Sequence, residues 1–466
     1  MWSLGSVRYV LAAGLIAAVL SACGGNSVLR GMQPEAPAFT SATASSPIAH
    51  VVLIVQENRT FNDFFATFPG ADGTTLGKVA KNPQCHIYKD KTVRLQEKSL
   101  LGFMDYNHYY QAYRTARDGG KMDGFDDIIY KKRGSDSCLT PYQYTDPSQI
   151  RPYWEMAKQY ALGEHMFTPQ GGGGFTGHQE LITDGTLVAP GEEMVNFPTC
   201  NGPKCHWGCD APSDTHTSLI NEHDVLEVGK GPFPCSNDYA VKYPTIRDLL
   251  DAKGLSWKYY APHSCCNVNG RLFNAFDAIY PVRYGPEWKT NISSPETNIF
   301  NDISSGSLAA VSWVIPNGVD SDHPGAKVDD GPSWVASIVN AVGESPYWQS
   351  TAIVVVWDDW GGFYDNFDPP QRAYGGFGFR VPALIVSPYA KAGYISPTYY
   401  EFNSILKYIE QNWNLGYLGN GDRNANSLRD CFDYSQTPIT FSPIPSEHDK
   451  SYFMHRKAPD QPLDDD

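Results

Sequence analysis

Positive charge is scarce in this chain. Lys and Arg together number 36 against 51 Asp and Glu, so the formal net charge is -15 over 466 residues. A field of that sign repels the phosphates of nucleic acids and of anionic lipid surfaces, which argues against nucleic-acid binding. If the substrate carries a phosphate, its attraction must be local and must come from a cation.

The amino-terminal region lacks an apolar run long enough to span a bilayer comfortably. The run from Tyr9 to Leu20 follows Arg8 and leads into small residues, which is typical of an export signal. Leu20-Ser21-Ala22-Cys23 resembles the lipobox of bacterial lipoproteins. We therefore expect a signal segment at 1–23 and a lipid anchor at Cys23. Plain secretion is the alternative, and in either case the protein is exported to the cell envelope or beyond.

Zinc-finger spacing is missing as well. Cys200, Cys205 and Cys209 lie near His206, but the spacing C-x4-C-x3-C matches no common finger. Disulfides are the default in an exported chain, so we predict disulfides rather than zinc, without assigning pairs. Ten cysteines are present, and setting Cys23 aside leaves an odd number, so at least one is unpaired or pairs between chains.

In two places, an apolar run typical of a strand is followed closely by acidic or amide side chains. Residues 51–55 and 353–356 are continuous β-branched and aliphatic runs, which are typical of strands buried on both faces. Ligands of open α/β sheets sit outside the carboxyl ends of the strands. The polar residues that follow the two runs form a candidate oxygen-rich cation site: Glu57, Asn58, Asp358 and Asp359.

Strand and helix patterns alternate through the rest of the chain. The alternation predicts an α/β fold with a central, mostly parallel sheet flanked by helices. Further predicted strands are 256–260, 311–315 and 383–387, and predicted helices are 106–113, 152–161, 243–250, 332–342 and 403–413. Thr60 is expected to cap a short helix.

Four segments fall outside this alternation. Residues 24–47 are rich in Gly, Ser, Ala and Pro, and are typical of a flexible tether. Residues 185–240 carry four cysteines and little periodicity, and we expect an irregular, disulfide-pinned excursion over the active face. The polar residues 433–466 are expected to form a loosely held tail. Gly171–Gly174, before a helix-like segment, is either an anion-binding loop or a plain flexible one.

Several motifs occur along the chain in a recognisable order. They are HVVLIVQENRTFNDFF, KMDGF, GGF-x-x-HQ-x-LI, VIPNGVDSDHP, VVVWDDWGGFYDNFDPP, GFRVPALIVSPYAKAGYI and SILKYIEQNW. Together they resemble the bacterial phosphoesterase family, which contains acid phosphatases and phospholipase C enzymes of the alkaline-phosphatase-like fold. The resemblance implies one phosphoesterase domain over residues 48–432.

The resemblance also assigns roles to individual residues. It implies that a divalent cation of the Mg, Mn or Ca type is bound by Glu57, Asn58, Asp358 and Asp359, and hard oxygen ligands suit such ions. His108 and His323 resemble family histidines that bind the phosphoryl group or protonate the leaving oxygen, for which a near-neutral pKa is suited. His178 occupies a matching position whose role is less defined.

The chain departs from the family pattern at the nucleophile. The family commonly has Ser or Thr where this chain has Gly174. Either Thr176 takes the role, or a water molecule activated at the cation attacks, or the activity is lost. A second departure is Asn366, where the family usually has His, although Asn can still form hydrogen bonds.

These observations lead to two hypotheses about function. The first is metal-dependent hydrolysis of a phosphate ester in the bacterial envelope, the substrate being a phosphomonoester or a phospholipid head group. The second is a pseudoenzyme that binds phosphate and metal but lacks the usual nucleophile. The two differ in what they expect of Gly174, because only the first requires another group to attack phosphorus.

Overall fold

The computed structural model describes residues 46–102, 104–128, 138–201, 208–262, 274–326 and 328–457. The predicted signal segment 1–23, the Cys23 anchor and nearly all of the tether 24–47 lie outside these residues, as do Cys205 and His206. No helix in the described ranges is long and apolar enough to cross a bilayer.

Seventeen strands and twelve α-helices form within the described residues. The strands are β1 (His50–Gln56), β2 (Leu76–Val79), β3 (Lys91–Arg94), β4 (Gln96–Lys98), β5 (Gln143–Thr145), β6 (Ala161–Pro169), β7 (Leu187–Ala189), β8 (Glu192–Thr199), β9 (His216–Asn221), β10 (Leu226–Glu227), β11 (Trp257–Tyr260), β12 (Ile292–Ser293), β13 (Val311–Val314), β14 (Thr351–Trp357), β15 (Phe377–Val386), β16 (Tyr394–Ser396) and β17 (Tyr400–Glu401). The helices are α1 (Phe61–Phe65), α2 (Tyr110–Arg117), α3 (Arg151–Gln159), α4 (Gly174–Glu180), α5 (Ile246–Ala252), α6 (Tyr280–Arg283), α7 (Glu287–Thr290), α8 (Asn298–Ser304), α9 (Gly331–Gly343), α10 (Phe402–Trp413), α11 (Gly421–Asn424) and α12 (Lys450–His455).

The central sheet is mostly parallel, as predicted. Its order is β12-β11-β13-β1-β14-β15-β6-β16, and β17 also pairs with β6. Within this sheet, among the strands described, only β15 runs antiparallel to its neighbours, which are β14 and β6. β1 therefore lies between β13 and β14, and both predicted site strands are interior strands of the sheet.

The interior strands are buried because their side chains are apolar on both faces. Every residue of β1 and β14 is buried. Burying one such aliphatic side chain stabilises the fold by about 1.5–3 kcal/mol. The register pairs Gln56 with Trp357, so the polar residues that follow both strands leave the sheet at the same edge.

The chain before α2 differs from the prediction. A helix was expected to begin at residue 106, but α2 begins at Tyr110 and His108 precedes it. Asn107 turns the chain here, since its Oδ1 accepts a hydrogen bond from the Tyr109 N–H at 3.0 Å. The Tyr110 N–H donates to Asn196 Oδ1 at 2.6 Å rather than to a helix carbonyl. Asparagine side chains compete with helix hydrogen bonds in this way.

The excursion 185–240 contains more regular structure than its sequence indicated. A disulfide joins Cys209 to Cys235, in line with the preference for disulfides over zinc. Four short strands also form an antiparallel sheet in the order β10-β9-β8-β7. A second disulfide, outside the excursion, joins Cys85 to Cys138, and Cys431 is a buried free thiol.

The prediction of a loosely held tail was wrong for residues 433–457. Ile444 and Phe453 are buried in the main core, and Phe453 packs edge-on against Trp334 of α9 at 5.3 Å between ring centroids. Arg456 forms ion pairs with Asp320 and Asp330. A few apolar anchors in a polar sequence were sufficient to dock this segment.

Candidate active site

Three buried side chains converge at the carboxyl end of β1 and β14. Glu57, His178 and Asp358 each offer one possible metal-ligand atom, and these atoms lie within 4.8 Å of one another. His178 Nε2 is 3.1 Å from Glu57 Oε1 and 3.7 Å from Asp358 Oδ2. Two of the predicted cation ligands are therefore together, and His178, predicted to be catalytic, lies beside them.

Backbone N–H groups hold the Asp358 carboxylate in place. Its Oδ1 accepts from the N–H of Asn58 at 3.0 Å and from that of Asp359 at 2.7 Å. The Asn58 backbone is left-handed, with φ 61°. Because Oδ1 is held by the backbone, Oδ2 is the oxygen that faces Glu57 and His178.

Asp359 and His108 form the neighbouring part of the site. Asp359 Oδ1 accepts from the Gly361 N–H at 2.7 Å, and its Oδ2 is 3.5 Å from His108 Nε2. His108 Nδ1 lies 2.8 Å from the Tyr106 carbonyl oxygen. A carbonyl oxygen only accepts, so Nδ1 carries a proton and Nε2 is the nitrogen directed at Asp359.

The electrostatics of this cluster fit a divalent cation. Burial raises the pKa of the Asp358 carboxyl well above its usual range, and the carboxylates of Asp359 and Glu57 raise it further. Burial lowers the pKa of His178, while Asp358 and Asp359 act in the opposite direction. Carboxylates crowded in this way require a shared proton or a cation. Carboxylate oxygens suit Mg²⁺, Ca²⁺ or Mn²⁺ and an imidazole nitrogen suits transition ions, so this donor set fits a divalent cation without selecting one.

Position 174 faces the carboxylates without a side chain. A Cβ built on Gly174 would lie 2.6 Å from Asp358 Oδ2 and 3.5 Å from Asp359 Oδ2. Thr176, in the first turn of α4, is fully buried, and its hydroxyl donates to the Gly173 carbonyl at 3.1 Å. Position 174 therefore lies against Asp358 with no room for a side chain unless Asp358 moves, and the Thr176 hydroxyl is held by the backbone.

His323 lies on the loop after β13 and is tied to the Glu57 segment. The Glu57 N–H donates to the Ser321 carbonyl at 2.7 Å, and the His323 N–H donates to Ser321 Oγ at 3.2 Å. His323 Nδ1 is 2.8 Å from the Pro324 carbonyl oxygen.

Asn366 is the other departure from the family pattern. Its Oδ1 accepts a hydrogen bond from Arg380 Nη2 at 2.8 Å.

Phe197 of β8 was missed by sequence reasoning. Its ring lies 3.7 Å from the position of a Cβ on Gly174 and 6.0 Å, between centroids, from the ring of Tyr109. The excursion sheet therefore contributes an aromatic wall beside the cluster. Nothing in the aperiodic sequence around Phe197 distinguished it from other aromatic residues.

Comparison with known proteins adds to this geometry. The sequence model of the phosphoesterase family matches residues 48–416. Phospholipase C A of Mycobacterium tuberculosis is 27% identical over 441 residues, which cover 81% of this chain and 76% of that protein. Non-hemolytic phospholipase C of Pseudomonas aeruginosa is 22% identical over 427 residues, which cover 79% of this chain but only 54% of that protein.

A solved structure of a protein in the alkaline phosphatase superfamily from Vibrio parahaemolyticus is also similar. Its TM-score is 0.36 at 11% identity, over 83% of this chain and 74% of that one. The order and direction of the strands described above remain the basis for the fold.

Proposed function

The chain belongs to the phosphoesterase family, and on that premise we propose that it hydrolyses phosphate esters at a divalent cation. The observation that carries the proposal is the buried group of Glu57, His178 and Asp358, whose ligand atoms lie within 4.8 Å of one another. Asn58 and Asp359 flank these residues in sequence and complete the ligand set. A bound cation would offset the repulsion between this acidic protein and a phosphate, and would stabilise charge on the phosphoryl oxygens.

The three histidines have different roles in this proposal. His108, with its Nδ1 proton fixed on the Tyr106 carbonyl, presents Nε2 beside Asp359 and is placed to contact a phosphoryl oxygen. His323 is the second candidate, as proton donor to the leaving oxygen. His178 lies against Glu57, so we give it a ligand or orienting role rather than proton transfer.

Water supplies the attacking oxygen in this proposal. Gly174 offers no attacking group, and even a Cβ at this position would lie 2.6 Å from Asp358 Oδ2, so a side-chain nucleophile there would require Asp358 to move. The Thr176 hydroxyl donates to the Gly173 carbonyl, which supports a structural role for Thr176 in the first turn of α4 rather than a role as nucleophile. Direct attack by water would form no covalent phosphoryl-enzyme.

The substrate class follows from the relatives and from the aromatic wall. The two curated relatives carry the name phospholipase C. Phe197 and Tyr109 suit an apolar leaving group beside the phosphate, such as an aryl group or a diacylglycerol.

We also propose that the protein is exported to the bacterial envelope and is anchored there by a lipid at Cys23.

The test is release of p-nitrophenol from p-nitrophenyl phosphate and of phosphocholine from phosphatidylcholine by purified protein. Each assay is run with Mg²⁺, Mn²⁺ and Ca²⁺, beside an Asp358→Ala, Asp359→Ala variant as background. We expect turnover with at least one cation and a loss of about 10²-fold or more in the variant. Equal rates for the two proteins with every cation would contradict the proposal.

Gly174 also favours a second function, that of a phosphate-binding and metal-binding protein without catalysis. The Gly174→Ser variant separates the two. If the wild type hydrolyses by direct attack of water, the added hydroxymethyl group crowds Asp358 and turnover falls about tenfold or more. Turnover that is absent in the wild type and gained in Gly174→Ser would favour the second function.

A further inference from the structure

Side chains from three elements meet at the carboxylate of Asp322. This residue precedes His323, is fully buried, and lies outside the predicted catalytic set. Its Oδ2 accepts hydrogen bonds from Tyr153 Oη at 2.6 Å, Trp357 Nε1 at 3.0 Å and Gln56 Nε2 at 3.2 Å. One carboxylate oxygen thus gathers donors from β1, β14 and α3.

Two of these donors are the residues next to cation ligands. Gln56 precedes Glu57, and Trp357 precedes Asp358. Successive residues of an extended chain point to opposite sides of a sheet. The register pairs Gln56 with Trp357, so the pair Gln56 and Trp357 turns towards Asp322 while Glu57 and Asp358 turn towards His178.

The backbone of Asp322 adds a further tie to the same segment. The buried guanidinium of Arg59, next to Asn58, donates Nε to the Asp322 carbonyl at 2.8 Å. Gln56 Nε2 also donates to the Asp320 carbonyl at 3.0 Å. The segment of Glu57 and Asn58 is therefore held to residues 320–322 from both sides.

The local backbone at Asp322 is itself demanding. Its φ is 69°, in the left-handed region that non-glycine residues adopt only at an energetic cost. A Cβ on Gly331 at the start of α9 would collide with the Asp322 carboxylate, so a glycine is needed opposite. Strain of this kind persists only where surrounding contacts fix the residue, and here those contacts are the hydrogen bonds to the active-site segments.

We infer that Asp322 is a positioning residue, which fixes three segments of the site relative to one another. These segments are Glu57 with Asn58, Asp358 with Asp359, and His323. The inference rests on the proposed function, because those residues matter only if the cluster binds a cation. Asp322 acts through Gln56, Trp357 and the backbone and contacts neither cation nor substrate. Residues that orient metal ligands in this way are typically worth about 10- to 100-fold in metal affinity or activity.

The experiment measures the affinity of full-length protein for Mn²⁺ by calorimetry, together with kcat and KM for p-nitrophenyl phosphate. Asp322→Ala removes the acceptor and disfavours the left-handed backbone, whereas Asp322→Asn keeps one acceptor oxygen and a residue that tolerates φ near 60°. We expect Mn²⁺ affinity to fall about 10- to 100-fold in Asp322→Ala and to recover in large part in Asp322→Asn. kcat is expected to change more than KM.

Asp422→Ala is the matched control. Asp422 is equally buried and accepts from the backbone N–H of Gly419 at 3.1 Å and Arg423 at 2.6 Å, within and beside α11. We expect it to lower thermal stability without changing Mn²⁺ affinity. If Asp322→Ala does not fold, Tyr153→Phe removes one of the three donors and is expected to weaken Mn²⁺ binding about 2- to 10-fold.

The outcomes keep the two proposals apart. A wild type that binds Mn²⁺ without turnover would refute the proposed function. The Mn²⁺ affinities of the wild type and Asp322→Ala would still test the positioning role of Asp322. Unchanged affinity in Asp322→Ala, or an equal loss in Asp422→Ala, would overturn the positioning role. A wild type with no affinity for Mn²⁺, Mg²⁺ or Ca²⁺ would overturn both.

Discussion

Thr176 is the residue at which the sequence and the geometry diverge most. It was a candidate nucleophile because it carries a hydroxyl close to the position where the family has Ser or Thr. Its hydroxyl instead donates to the Gly173 carbonyl inside the first turn of α4. Positions 174 and 176 lie on different sides of α4, because residues two apart in a helix point in different directions. Thr176 is therefore close to Gly174 in sequence but does not point where a side chain at position 174 would point.

We predict that Thr176→Val retains turnover within about tenfold of the wild type, because the loss is one buried hydrogen bond. Steady-state kinetics with p-nitrophenyl phosphate checks this. Thr186→Val is the control, since the buried Thr186 hydroxyl donates to the Met194 carbonyl in the same manner. A loss of roughly 10³-fold or more confined to Thr176→Val would assign the nucleophile to Thr176.

At the scale of elements, the interior strands could be predicted and the short, polar or covering elements could not. β1 and β14 are continuous apolar runs that end in carboxylates, and burial on both faces leaves few alternatives for such sequences. The grouping of Glu57 with Asp358 followed from the rule that ligands collect at the carboxyl ends of strands. The small sheet β10-β9-β8-β7 carries no comparable pattern, because its short strands depend on tertiary contacts and a disulfide.

The position of His178 shows the limit of the sequence for the site. Its motif was recognisable, but its contact with Glu57 depends on how α4 packs across the end of β1. Asp322 was present in the VIPNGVDSDHP motif without being singled out, since only the structure shows three donors on its carboxylate. A residue that contacts only the neighbours of the ligand residues has no sequence pattern of its own that would identify it in a single sequence.

Phe197 supplies a prediction for β8. Phe197→Ala removes the aromatic wall beside Gly174, and we expect KM for p-nitrophenyl phosphate to rise about 2- to 10-fold, equivalent to roughly 0.5–1.5 kcal/mol of ring contact. KM for phosphoethanolamine, which has no aromatic group, is the comparison and is expected to change little. An equal rise for both substrates would show that the ring supports the site rather than the leaving group.

At the scale of the whole molecule, the docked residues 433–457 make stability depend on pH through Asp320. Burial raises the pKa of Asp320 to about 7 even though the Arg456 guanidinium acts to lower it. The folded state therefore binds this proton more tightly than the unfolded chain does. Its contribution favours folding at low pH and is lost as the pH rises from about 4 to about 7.

We predict that Asp320→Asn flattens this part of the stability profile. The wild type is expected to lose up to about 4 kcal/mol through Asp320 over that interval, an order-of-magnitude figure. Urea unfolding at several pH values between about 4 and about 8 measures the difference. Arg456→Met is the companion variant, because removal of the cation should move the upper limit of the interval to higher pH. Parallel profiles for the wild type and Asp320→Asn would refute the assignment.

The placement of β1 between β13 and β14 has a consequence for how the chain acquires its native structure. β1 is near the start of the described chain, yet Val51 pairs with Val311 and His50 with Thr351. Contacts this distant in sequence form late and slow folding, since the intervening loop must be closed first. Until residues 311–357 pair with it, β1 leaves the N–H and C=O groups of both edges unpaired. A cation cannot assist the early steps, because its ligands come together only when this strand is finally enclosed.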